Sequence, residues 1–152
     1  MRQAVVCVAL LGIAAFQPGA SAIAAPAQGA EIVGLSGKCL DVLGGGSADG
    51  TSVDLWPCNG QANQHWSVVN GQIIGIAGMC LDVKGGGSGN GTSIDLWPCN
   101  GQANQKWTLI GRTIVGIAGK CLDVQGNTNV NGTPIDLWPC NGQINQVWTV
   151  GG

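Results

Sequence analysis

The sequence predicts an all-β fold: a β-trefoil with pseudo-threefold symmetry, built from three repeats of about 41 residues and twelve strands. Three observations predict it. The chain holds 27 Gly and 6 Trp but one Phe and no Tyr, and only 9% of its residues are charged. That composition suits short strands joined by tight turns rather than a helical bundle. The segments 31–71, 72–112 and 113–152 then follow one another without gaps, and the first two agree at about 26 of 41 positions. Finally, each repeat reads as four short strands. Only closure of the whole set removes the sheet edges. An open solenoid would need polar caps, and a propeller of three blades would have too few.

The chain starts with a segment outside this pattern. Met1-Arg2-Gln3 is a short positive start, Ala4 to Phe16 is an apolar run, and Ala20-Ser21-Ala22 is a small-x-small cleavage signal. Residues 1–22 are therefore expected to be a secretory signal peptide, cut after Ala22 or a few residues later, after Ala24 or Ala25. The apolar run is short for a membrane span. Residues 23–30, small and containing Pro26, are expected to form a loose mature N-terminus, with the folded domain occupying 31–152.

Within the first repeat the expected strands are 32–35, 39–42, 53–56 and 64–68. Alternation supports the middle pair. Leu40 and Val42 face one way and Asp41 the other, while Val53 and Leu55 face inward and Asp54 shares the outer face with Trp56. Between these strands stands Asp49-Gly50, replaced by Asn90-Gly91 and Asn131-Gly132 in the later repeats. Asx-Gly supplies the positive φ that tight turns need. The Gly-rich stretches 44–46 and 85–87 are turn chemistry as well. No helix start or Lys-Ser/Thr follows them, so they are not phosphate loops. Asn90-Gly91-Thr92 and Asn131-Gly132-Thr133 match the glycosylation sequon, but the turn already accounts for them. Trp66 ends the segment in an apolar strand and is expected in the core.

Cys7 leaves with the leader, so the mature chain keeps six of its seven Cys. An even number in an oxidising compartment favours disulfides. Repeat symmetry narrows the pairings to those within repeats or those around the ring. The hairpin adjacency of the second and third strands favours Cys39–Cys58, Cys80–Cys99 and Cys121–Cys140. With no Cys-x-x-Cys and a single His, no metal and no cofactor are expected.

The charge balance excludes some partners. A net charge of −2 lacks the basic footprint of a nucleic-acid binder, and no membrane insertion is expected of the mature chain. Six of the eight acidic residues occupy two repeated positions: Asp41, Asp82 and Asp123, and Asp54, Asp95 and Asp136. Trp56, Trp97 and Trp138 follow the second set. An outward Trp beside carboxylates and amides suits a sugar, because the ring packs on the C–H face of a pyranose while polar groups bond its hydroxyls.

The runs Gly37-Lys38-Cys39-Leu40-Asp41-Val42, Asp54-Leu55-Trp56-Pro57-Cys58-Asn59 and Asn63-Gln64-His65-Trp66, recurring in all three repeats, resemble the ricin B-type lectins. That family is also known as the family 13 carbohydrate-binding modules. The resemblance implies a β-trefoil with the Gln-x-Trp residues mainly in the core, and shallow sites for galactose-type sugars or for xylan-like polymers. Carried over by position, it implies a first site of Asp41, Asp54, Trp56, Asn63 and Gln64. The second is Asp82, Asp95, Trp97, Asn104 and Gln105, and the third Asp123, Asp136, Trp138, Asn145 and Gln146. Where this chain has Asp54, Asp95 and Asp136, the family often has Gln. The change removes an amide donor and sets like charges side by side.

Three functions compete. The first is a secreted, non-catalytic lectin, monomeric or weakly self-associating, that binds glycans of cell surfaces or polysaccharides. An enzyme would use Asp41 and Asp54 as an acid pair for glycoside hydrolysis, but one small domain would hardly repeat an active site three times, and one His builds no nucleophilic triad. A protein-binding trefoil, such as a protease inhibitor or toxin-like subunit, is the alternative, although near-identical repeats suit an asymmetric interface poorly. Asp41 and Trp56 could instead be structural, as Gln64, Gln105 and Gln146 are more readily read, and His65 is read as a plain surface position.

Overall fold

The computed structural model describes residues 29–151; the leader 1–22 lies outside them. Twelve strands follow in order: β1 Ala30–Val33, β2 Cys39–Val42, β3 Val53–Trp56, β4 His65–Val69, β5 Gln72–Ile74, β6 Cys80–Val83, β7 Thr92–Trp97, β8 Thr108–Ile110, β9 Thr113–Val115, β10 Cys121–Val124, β11 Thr133–Trp138 and β12 Thr149–Val150. Nine single 3-10 turns lie in the connections other than β4–β5 and β8–β9, and no α-helix occurs among the described residues.

Every pairing is antiparallel, and the pairings close. Within each repeat the second and third strands form a hairpin in matching register: Asp41 faces Asp54, Asp82 faces Asp95 and Asp123 faces Asp136. Fourth strands pair with the first strands of the next repeat, β4 with β5 and β8 with β9, and β12 returns to β1. The third strands meet around the axis, β11 pairing with both β3 and β7. Ser52 bridges to Asp95 across the remaining gap. The fold is the expected β-trefoil.

Six apolar positions per repeat fill the core, and alternation places them there. In the first repeat they are Ile32, Leu40, Val42, Val53, Leu55 and Trp66, all essentially without exposure. Trp66 Nε1 donates to Leu40 O at 3.0 Å, so the buried indole is satisfied. Each core Trp also reaches the next repeat, which sets a glycine there. A Cβ on Gly75 would lie 2.6 Å from the Trp66 ring, on Gly116 2.6 Å from Trp107, and on Gly34 2.5 Å from Trp148.

The three disulfides pair within repeats, Cys39–Cys58, Cys80–Cys99 and Cys121–Cys140, each with Cα atoms 5.0 Å apart. Each ties the start of one hairpin strand to the chain just past the end of its partner.

Four local expectations shift. The first strand runs from Ala30 to Val33 rather than 32–35, because Leu35 enters a 3-10 turn in which Ser36 takes φ 58°. Ala30 pairs with Trp66, so ordered chain begins inside the segment expected to be loose. Small residues are needed there, since a Cβ on Gly29 would meet the Trp66 backbone at 2.5 Å. The Asx-Gly turn is present, but it sits within a long connection. Thr51 N–H donates to Ala48 O and only Gly50 has positive φ, 80°. This is the type II pattern rather than a two-residue hairpin. The fourth strand begins at His65 in the first repeat and only after the Trp in the other two.

Candidate functional site

The hairpin register makes the site. Asp41 and Asp54 stand directly opposite on the outer face of β2 and β3, where cross-strand Cβ atoms lie about 4.5–5.5 Å apart. Trp56, two residues on, shares that face and stays 41% exposed, whereas Trp66 is 1% exposed. The two Trp sets therefore divide between surface and core as their alternation predicts.

A 3-10 turn at Ala62–Gln64 brings two amides beneath Asp41. Asn63 Nδ2 donates to Asp41 Oδ2 at 2.9 Å and to Val42 O at 3.0 Å. Gln64 Nε2 donates to the same carboxylate oxygen at 2.7 Å and to Pro57 O at 3.0 Å, while Gln64 Oε1 accepts from Asn59 N–H at 2.8 Å. The same bonds recur around Asp82 and Asp123. Charge-assisted bonds of this length fix the carboxylate rigidly.

Above each pair lies an open hollow, of about 390, 430 and 380 Å³ in the first, second and third repeats. The first is lined by both Asp residues, Trp56, Asn59, Gln61, Asn63 and the turn Leu43-Gly44-Gly45. Four of the five residues expected in each site line it. Gln64, Gln105 and Gln146 do not: they are buried behind the first Asp and hold it.

Several lining residues were not singled out by the sequence. Asn59 and Gln61 belong to a Cys-Asn-Gly-Gln run repeated in every copy, which could have marked them. Asn59 Oδ1 accepts from Gln61 N–H at 2.9 Å, closing an Asx turn. The turn position varies as Leu43, Lys84 and Gln125. A neighbouring repeat supplies the remaining wall. Gly50 lines the second hollow and Gly91 the third, and a Cβ on Gly132 would lie 3.8 Å from Asp54 and 3.9 Å from the Trp56 ring. These are the Asx-Gly turns.

The second Asp of each pair is in an unusual electrostatic position. Asp54, Asp95 and Asp136 are at most 4% exposed. Both carboxyl oxygens of Asp54, and Oδ1 of Asp95 and of Asp136, are buried and receive no amide or hydroxyl donor, while the Asp54 carboxyl lies within hydrogen-bonding reach of Asp41 and the Asp136 carboxyl within reach of Gln125 and Asp123. Burial, and then the charge of the facing Asp, pushes each of these carboxyls up to about 6. Asp41, Asp82 and Asp123 are also raised by burial, with the amide hydrogen bonds opposing it. Lys84 partly offsets the effect at Asp95. Elsewhere, Glu31 lies close to the sulfurs of Cys39 and Cys58, but these are joined to each other and offer no thiolate ligand.

An all-β trefoil carrying three shallow hollows, each of one exposed Trp beside one amide-held carboxylate, has the form of a sugar-binding domain. The sequence profile of the ricin-type β-trefoil lectin domain matches residues 28–148, and the chain belongs to that family. It is similar to nigrin b of Sambucus nigra, at 53% identity over 36 residues, which are 24% of this chain and 6% of that protein's length. A designed threefold-symmetric protein, ThreeFoil, superposes with a TM-score of 0.74 at 27% identity over 80% of this chain and 96% of its own. A non-toxic homologue of type II ribosome-inactivating proteins from Momordica charantia, solved with α-methyl-D-galactoside, gives a TM-score of 0.72 at 25% identity. That match covers 80% of this chain and 46% of the other.

Proposed function

We propose that this chain is a secreted lectin whose three hollows each take one sugar unit of a glycan, of the galactose or N-acetylgalactosamine type or from a xylan-like polymer. One observation carries the reading. An exposed Trp stands beside a carboxylate locked by two side-chain amides, and the arrangement recurs three times. The ring offers a stacking face for pyranose C–H groups. The free carboxylate oxygen accepts hydroxyl donors, and Asn59 with Gln61 offers donors and acceptors at the rim. The galactoside held by the Momordica charantia relative supports the sugar class. Locking the polar groups beforehand lowers the ordering cost of binding.

Three disulfides and the leader-like residues 1–22 support export to an oxidising compartment. The exported product then begins after Ala22, or a few residues later, and carries the domain 31–152, monomeric or weakly self-associating.

The test is a glycan array probed with disulfide-intact protein and with the triple variant Trp56→Ala, Trp97→Ala, Trp138→Ala. Wild-type binding competed away by free sugar, and lost in a variant that keeps its near-ultraviolet circular dichroism, is the expected result. A folded wild type that binds no glycan, or binds a protein in a way no sugar competes, overturns the reading.

A further inference from the structure

We propose that a glycan held in the first hollow continues over the loop 57–62 and seats its next sugar unit in a second, adjoining hollow built around His65. The proposal rests on the lectin reading and extends it from one sugar unit to a chain of them. It starts from the loop. Asn59, Gln61 and Asn63 line the sugar hollow beside Trp56, whereas Gly60 and Ala62 line a separate hollow of about 480 Å³. Alternate residues thus face two hollows, and the wall between them is one chain thick.

This wall is low and fixed. Gly60 takes φ 71°, and a Cβ there would meet nothing within 4 Å, so the crest is bare and open. Asn59 N–H donates to Gln64 Oε1 at 2.8 Å, Gln61 N–H donates to Asn59 Oδ1 at 2.9 Å, and the Cys39–Cys58 disulfide anchors the start of the loop. A ligand that crosses here does not have to order the loop first.

The adjoining hollow has the chemistry of a sugar subsite. His65 and Ser67 stand two residues apart on β4 and so share one of its faces. Both are half-buried, and neither side chain bonds to another described residue. The imidazole and the hydroxyl supply hydrogen bonds for ring hydroxyls, while Ile74 and Ile76 supply apolar cover for a pyranose C–H edge. No Asp, Glu, Lys or Arg lines this hollow, which suits an uncharged sugar rather than an ionic ligand.

The other repeats carry different side chains here. His65 is replaced by Lys106 and Val147, and Ala62 by Ala103 and Ile144. Lys106 sets a charged, flexible group where the imidazole stands. Val147 offers no hydrogen bond, and Ile144, 63% exposed, puts a bulky side chain where Ala62 is small. The reading of His65 as a plain surface position rests on its unlike counterparts, and that same difference sets the first repeat apart.

The chain has a single His, which makes the test direct. The His65 ring signals in proton NMR would be followed while disulfide-intact protein is titrated with galactose and xylose, then with galactotriose and xylotetraose. The expected result is a shift with at least one oligosaccharide and not with its monosaccharide. Affinities would be measured in the Trp97→Ala, Trp138→Ala protein, where only the first hollow keeps its Trp. The longer sugar should bind about three- to tenfold tighter than its monosaccharide there, the worth of about one further hydrogen bond. Ala62→Ile with His65→Val installs the side chains that the third repeat already carries, and should abolish this gain while leaving monosaccharide affinity unchanged. If that variant fails to fold, His65→Ala alone should remove most of the gain. Trp56→Ala with Trp97→Ala, which leaves the third hollow, should show no gain with chain length. A gain that survives the substitutions at 62 and 65 overturns the subsite, as does an oligosaccharide that binds no tighter than its monosaccharide; both outcomes keep the lectin reading. Wild-type protein that binds neither length overturns the lectin reading and the subsite with it.

Discussion

Asp54 shows how one side chain can trade stability for a binding surface. Its carboxyl is raised from the ordinary 3.8 to about 6 because it is buried beside Asp41. The folded protein therefore holds that proton more tightly than the unfolded chain does. The resulting stability is complete below 3.8 and is lost as the pH rises to about 6, the reverse of the usual carboxylate effect. The protein should thus become easier to unfold in urea between pH 4 and pH 6, with contributions from all three repeats. Asp54→Asn with Asp95→Asn and Asp136→Asn should flatten that slope and raise the urea midpoint at neutral pH. A midpoint that climbs across the same interval in the wild type would contradict the assignment. Sequence alone placed Asp41, Asp54 and Trp56 together, because period-2 alternation fixes which side chains share a face. It could not show that Gln64 supports Asp41 from behind. That depends on a 3-10 turn whose Gln-x-Trp residues read equally well as a site or as a core.

At the scale of elements, the hairpins and their staples were legible and the walls between repeats were not. Alternation marked β2 and β3, and hairpin adjacency favoured the disulfides that join their ends. Removing one, as Cys80→Ala with Cys99→Ala, should cost about 3 kcal/mol in the chain-entropy account of a loop this size. Chemical denaturation under non-reducing conditions reads this directly. Contacts such as Gly132 against Trp56 exist only once the ring has closed, so no signal within one repeat reveals them. The same holds for Gly75, which looks like any turn glycine until the Trp66 ring is seen 2.6 Å from its missing Cβ. Gly75→Ala must displace that ring or the strand, and overpacking of this kind costs about 1–3 kcal/mol. An unchanged denaturation midpoint would mean that the ring has room to move.

For the whole molecule, closure matters more than any single hollow. Pairing of β12 with β1 fixes the three repeats around one axis, and each hollow takes a wall from a neighbouring repeat. The sites are therefore held at constant spacing on one rigid body. A shallow, open site binds a monosaccharide weakly, but three on one scaffold raise retention on a dense glycan surface by on the order of a hundredfold to ten-thousandfold through effective concentration. Trp97→Ala with Trp138→Ala leaves the first hollow intact and separates the two effects. Its affinity for a free monosaccharide at that hollow should equal the wild-type value per site, because Trp56 and its partners are untouched. Its dissociation from a densely coated sensor should be faster by a factor within the avidity range, while on a sparsely coated sensor the two proteins should dissociate alike. Equal dissociation from the dense surface would assign all of the binding to the first hollow, and the threefold repetition would then serve only to build the trefoil.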